Sequence, residues 1–147
     1  MKRTLLALAL VASLAFAGTA LAAPRSHPVN VRAKVVGAGT QGSKSIALAT
    51  FSGTPFGADN VALFKITVAG TRATGTFTSY NSHGSIRGTF SQTISPQPDN
   101  SVKYAGTARV LGGTGAYRGA TGNVTLTGNS PANSTIISYT ITGSVRY

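Results

Sequence analysis

From residue 135 to the C-terminus the side chains alternate in a way that suits only an extended strand. Ile137, Tyr139, Ile141, Val145 and Tyr147 fall on one parity, and Ser138, Thr140, Thr142, Ser144 and Arg146 on the other. Successive side chains of a β-strand point to opposite faces, so this segment sets an oily face against a wet one. The same split parts Ile86, Phe90 and Ile94 from Arg87, Thr89 and Thr93, and Val102, Tyr104, Ala108 and Val110 from Lys103, Thr107 and Arg109. Parallel sheets covered on both faces read as continuous apolar runs, whereas this alternation favours an antiparallel sheet with one face in water.

Eight such segments are expected: Val29 to Val36, Ser45 to Ser52, Asn60 to Ala69, Arg72 to Tyr80, Ser85 to Ile94, Val102 to Leu111, Thr121 to Gly128 and Thr135 to Tyr147. Turn residues separate them, among them Gly37-Ala-Gly39, Gly53-Thr-Pro55, Asn81-Ser-His-Gly84 and Asn129-Ser-Pro131. After the first residues no stretch reads as a helix, because each long Gly-free run holds Pro or a dense β-branched cluster. Gly75, Gly88, Gly106, Gly122 and Gly143 fall on the apolar parity of their strands at uneven separations, which argues against a solenoid repeat. Inward glycines mark sharp bends or close backbone approach, as when a sheet closes on itself. The expected fold is therefore all-β, an eight-stranded antiparallel β-barrel over residues 29–147, preceded by a short extension over residues 23–28.

The first 22 residues read differently. Lys2 and Arg3 precede the apolar run Leu5 to Ala17, and Ala20-Leu-Ala22 offers the small residues that signal peptidase requires, so cleavage is expected after Ala22. The run is 13 residues long, and a bilayer-spanning helix needs about 20. The expectation is a secreted or periplasmic protein with no transmembrane segment. Loss of Lys2 and Arg3 lowers the formal charge from +11 to +9.

Composition excludes much chemistry. The chain has no Cys and no Glu, so thiol catalysis, disulfides and lipid attachment through Cys are closed to it. Its two acids, Asp59 and Asp99, fall in expected turns, as does His83, and His27 lies near the new N-terminus. No metal-ligand spacing joins them, and no Ser or Thr has a base and an orienting group beside it. We expect no catalytic residue, metal or cofactor. The run Gly112 to Gly122 is Gly-rich like a phosphate cradle, but it leads into the strand-like Asn123-Val-Thr-Leu-Thr rather than a helix.

The segment Val110-Leu-Gly-Gly-Thr-Gly-Ala-Tyr-Arg-Gly-Ala-Thr-Gly122 resembles the Gly-Gly-Thr-Gly, aromatic, basic, small-residue stretch of the allene oxide cyclase and dirigent-like barrel superfamily. Its neighbours Tyr104 to Val110 and Tyr139 to Tyr147 resemble the adjoining strands, so the likeness covers the last half of the chain. The resemblance implies an eight-stranded antiparallel barrel, an apolar cavity with a few polar groups, cyclase or radical-steering activity, and a trimer. The carboxylates of an active site in that superfamily have no counterpart here. Fold carries over more readily than activity.

Two functional expectations follow. Gln92 shares the parity of Gly88, Phe90 and Ile94, so a barrel turns its amide inward, where an unpaired polar group costs about 1–3 kcal/mol. A backbone group, a buried water or a ligand must meet it. The candidate ligand-binding set is Phe77, Phe90, Gln92, Tyr104 and Tyr139, with Tyr117 either at the barrel mouth or pinning its loop to the core, and the partner a small apolar molecule. The alternative lies outside: Arg32, Lys34, Lys65, Arg72, Arg87, Lys103, Arg109 and Arg146 share the wet face, suited to anionic envelope polymers. Their outer neighbours are Thr and Ser rather than aromatics, which speaks against nucleic-acid recognition.

Overall fold

The computed structural model describes residues 23–147; the expected export signal over residues 1–22 lies outside the described residues. Eight strands, β1 (Ser26–Gln41), β2 (Lys44–Thr54), β3 (Gly57–Ala69), β4 (Arg72–Asn81), β5 (Gly84–Pro96), β6 (Val102–Gly113), β7 (Thr121–Ser130) and β8 (Ser138–Arg146), form a closed barrel. Each pairs antiparallel with its neighbours in sequence, and β8 closes on β1. One turn of 3-10 helix, Gly115–Tyr117, interrupts the β6–β7 connection. Among the described residues no helix is long and apolar enough to cross a membrane.

Several strand limits move from those expected, each for a local reason. β1 starts at Ser26 because His27 and Pro28 already pair with Val145 and Ser144, and the His27 ring stacks on Tyr147 at 4.3 Å. It also runs through Gly37-Ala-Gly39 instead of stopping there. Val35 opposes Ala49 and Gly37 opposes Leu48, so Val36 is the extra residue of a β-bulge, turned out and 53% exposed. Glycine after a bulge bends a strand without ending it. β7 continues to Ser130 on the ladder to β6, and Pro131, which lacks an N–H, ends it. β8 begins only at Ser138; ahead of it, the Ile137 carbonyl accepts from the Val35 N–H at 2.9 Å.

Alternation sorts the two faces. Val29, Val31, Ile86, Phe90, Val110, Val124, Leu126 and Val145 are buried in one cluster. Outside, the register carries a single row of polar side chains through all eight strands, Thr67, Thr74, Ser91, Thr107, Thr125, Thr142, Asn30 and Thr54. This is the reverse of a membrane-spanning barrel, which turns its apolar side chains to lipid. Closure leaves no strand edge to pair with another chain.

Burial changes along the barrel axis. On β3 it passes from Asn60 at 1% exposure through Ala62 and half-buried Phe64 and Ile66 to Val68 at 53%. β1, β5 and β8 follow the same course, from Val29, Ile86 and Val145 to half-buried Val35, Ile94 and Tyr139. The end at which β1 starts and β8 finishes is closed. The opposite end is open.

Two connections close the first end. The β6–β7 segment folds across it and buries Tyr117, whose ring meets Phe56 edge-on at 5.7 Å and Tyr147 at 5.0 Å. Asn81 Nδ2 donates to the Tyr117 hydroxyl and to Asn60 Oδ1, both at 2.8 Å, while Asn60 Nδ2 donates to the carbonyls of Phe51, Gly57 and Ala58 at 3.1 Å. A net hydrogen bond is worth about 1 kcal/mol, and a fully buried valine at least about 1.5 kcal/mol. Val29, Val31, Val110 and Val145 therefore hold this end, and the asparagine pair fixes how the loops lie over it.

Candidate functional site

Between the two ends lies a cavity of about 320 Å³, walled by side chains from all eight strands. The wall is apolar almost throughout, and among the described residues it contains no Asp, Glu, Lys, Arg or His. Cross-strand pairing explains why space remains. Phe90 opposes Gly75, Phe77 opposes Gly88, and Tyr139 opposes Gly128, so each ring lies over a position without a side chain. A Cβ on Gly88 would stand 2.7 Å from the Phe77 ring, and one on Gly128 would stand 2.6 Å from that of Tyr139. The rings lie flat against the wall instead of standing across the lumen. Gly143 acts differently: its φ of 144° suits only glycine, and a side chain there would run into Val124.

Five of the six expected ligand-binding residues, Phe77, Phe90, Gln92, Tyr104 and Tyr139, lie on this wall. Phe64 joins them, its ring edge-on to Phe90 at 5.7 Å. Tyr117 does not line the cavity; it is the plug of the closed end, 4% exposed. Of the two places weighed for it, it takes the core. The reason is local: the Gly112 to Gly122 run turns in over the barrel, where Thr114 and Ala116 donate to the Ser85 and His83 carbonyls at 2.8 and 2.9 Å.

Gln92 sits on β5 between Ala73 of β4 and Gly106 of β6, two small neighbours that let its side chain rise into the lumen. The Tyr139 hydroxyl donates to Gln92 Oε1 at 3.1 Å. Tyr104 completes the group, its ring centroid 5.7 Å from that of Tyr139. Burial pushes the Tyr139 phenol up to about 12, with the Gln92 amide offsetting part of the rise and Tyr104 adding to it. Burial raises the Tyr104 phenol as well. Both are neutral donors and acceptors near neutral pH, unsuited to act as bases.

The other titratable groups lie elsewhere. Asp59 and His83 belong to the closed end, and Asp99 to the β5–β6 turn of the open end, so the two carboxylates sit at opposite ends of the barrel. Asp99 is held below the usual carboxylate range by hydrogen bonds from the Ser101 hydroxyl at 2.6 Å and the Ser101 N–H at 3.0 Å. Among the described residues no group of three metal-binding side chains comes together. All eight basic residues expected on the wet face are exposed. Three of them, Arg32, Lys34 and Lys103, line one outer groove with Thr127, Ser138 and Thr140, together with a single acid, Asp59, and apolar Val61.

The residues that sequence reasoning missed are Phe64, Gly128, Asn60 and Asn81. Gly128 had a signal, since it shares the parity of Val124 and Leu126 and so belongs with the inward glycines. Phe64 and Asn60 share the inward parity of Ala62, and Asn81 that of Phe77; Asn60 and Asn81 face each other one step beyond the Val61–Tyr80 pair of the β3–β4 hairpin.

No protein-family model matches this chain, and no curated protein and no solved structure matches it.

Proposed function

We propose that this protein is exported and binds a small apolar molecule inside its barrel. The observation that carries the reading is the apolar cavity of about 320 Å³ inside the barrel, lined from Val29, Val31 and Val145 near the closed end to Val35, Val68 and Ile94 near the open one. Small-molecule sites are concave and mostly apolar, with a few polar groups that set orientation, and start near 300 Å³. A cavity of about 150 Å³ takes up one benzene, so twice that suits about two rings or a chain of about a dozen carbons. Resemblance to the allene oxide cyclase and dirigent-like superfamily supports the same reading. Among the described residues the wall offers no charged or imidazole side chain for acid–base work, so binding without turnover is favoured over a cyclase or radical-steering reaction.

Native mass spectrometry after equilibration with an apolar extract in high salt tests it. One small molecule should be retained per barrel, and Ala47→Phe, which fills the wall from β2, should abolish retention. A protein that retains nothing, or retains as much after filling, overturns the reading.

A second reading is favoured by the outer groove, where Arg32, Lys34 and Lys103 stand together with hydroxyl side chains. Such a surface suits adhesion to anionic polymers. Retention on an anionic support should then fade as salt rises, because exposed charges are screened within about 10 Å at 0.1 M. Retention that ignores salt counts against it.

A further inference from the structure

The cavity is apolar but not uniformly so: Ser45 and Ser79 stand singly on its wall, the Ser79 hydroxyl donating to the Ile86 carbonyl, whereas Gln92, Tyr104 and Tyr139 converge at one place. Gln92 is 9% exposed, and its carbonyl oxygen already accepts from the Tyr139 hydroxyl. Its amide nitrogen meets no acceptor among the described residues. Yet no fully enclosed side-chain nitrogen or oxygen there lacks a partner. That nitrogen must therefore face open space, and the space in front of it is the cavity, which Gln92, Tyr139 and Tyr104 all line. Ala73 and Gly106 flank it with no group that could reach over and satisfy it. Two N–H donors thus point into an apolar lumen, next to a phenol oxygen with free lone pairs.

From this we infer that the resident ligand carries one neutral oxygen function, a hydroxyl or carbonyl, that docks on the Gln92–Tyr139 pair, and that an ionised carboxylate is refused at the same depth. The inference rests on the reading of the barrel as a binding site. The donors fit either neutral group, since the amide can also turn its oxygen toward a ligand hydroxyl while Tyr139 accepts from the N–H. A carboxylate could accept the same hydrogen bonds, but among the described residues no Lys, Arg or His lines the wall to offset its charge, and a buried unpaired anion is far more costly than a buried dipole. The Tyr139 phenol shows what the site does to an anion: its move from 10.0 to about 12 disfavours the charged form about a hundredfold.

Three two-ring probes of matched size, naphthalene, naphthol and naphthoate, test the inference by fluorescence titration of the purified protein at neutral pH. Naphthol should bind at least about tenfold more tightly than naphthoate. Gln92→Leu should weaken naphthol about three- to tenfold, the worth of one hydrogen bond, and leave naphthalene within about twofold. Tyr139→Phe, which keeps the ring over Gly128, should weaken naphthol in the same sense and serves if the Gln92 variant fails to fold. Naphthoate bound as tightly as naphthol would mean that charged heads stay in the mouth and would overturn the inference, as would naphthol binding that neither variant changes. If naphthalene itself does not bind, the cavity reading fails, and the inference fails with it.

Discussion

At the closed end of the barrel Val29, Val31, Val110 and Val145 are each at most 5% exposed, while at the open end of the same sheet Val35, Ile46 and Ile94 are half-buried and Val68 is 53% exposed. The alternation of apolar and polar residues is equally good at both ends. What differs is the connections. At the closed end the β6–β7 segment is long enough to cross the lumen and carries Tyr117 into it. At the open end the β1–β2 and β3–β4 hairpins are tight turns at Gly42-Ser43 and Gly70-Thr71, too short to cross anything. The longer β5–β6 turn is tied to itself, with Gln97 N–H donating to the Ser101 carbonyl at 2.8 Å. The β7–β8 connection, seven residues like β6–β7, is held along the rim, where the Ser130 hydroxyl donates to the Ser134 carbonyl at 3.0 Å and the Val35 N–H to that of Ile137 at 2.9 Å. Strands decide that there is an interior, and loops decide from which side it can be reached.

The contrast predicts where the barrel is fragile. Tyr117→Ala should cost about 4 kcal/mol in urea unfolding, in the range of large aromatic deletions, because it empties the core of the closed end. A loss below about 1 kcal/mol would mean that the plug is not structural.

Next in size is an alkaline effect at the open end. The Tyr139 phenol ionises at its ordinary 10.0 in the unfolded chain and at about 12 in the barrel, so between those values the folded state holds the proton that the unfolded state has lost. Stability should be unaffected below pH 10 and fall by up to about 3 kcal/mol by pH 12, since each pH unit crossed between the two values removes about 1.36 kcal/mol. Tyr139→Phe should flatten that slope relative to the parent protein. Parallel slopes would remove the case for burial at Tyr139.

Asn60→Leu comes third. It leaves the Phe51, Gly57 and Ala58 carbonyls and the Asn81 amide short of a partner, at a cost of about 2 kcal/mol. Hydrogen exchange should show the loss first in the β2–β3 hairpin; uniform loosening would mean that the pair does not set the loop. Val68→Ala at the open rim should be nearly silent, below about 0.5 kcal/mol, as expected of an exposed position. A larger effect would show that the rim is covered in solution.

The comparison also marks what the sequence could convey. Strand number, direction and facing follow from parity, because a period of two is local and each strand states it alone. The inward position of Gln92 and of the four aromatics Phe77, Phe90, Tyr104 and Tyr139 follows from the same count. What parity does not hold is distance along the axis. Tyr117 and Tyr139 look alike in sequence, yet one closes an end and the other walls the cavity, since that depends on how a loop of glycines folds back. Gly37 and Gly39 read as a stop for the same reason: a bulge and a turn need the same residue.

The aromatic rings laid over glycines give the interior a modular character. Phe77, Phe90 and Tyr139 each occupy one tile of the wall, opposite a residue with no side chain of its own. Exchanging one ring for a smaller group would enlarge the chamber by a single step, while the asparagine pair that sets the loops of the sealed end would keep its hydrogen bonds. A lineage built on this architecture can drift from one guest to another while its scaffold stays as it is.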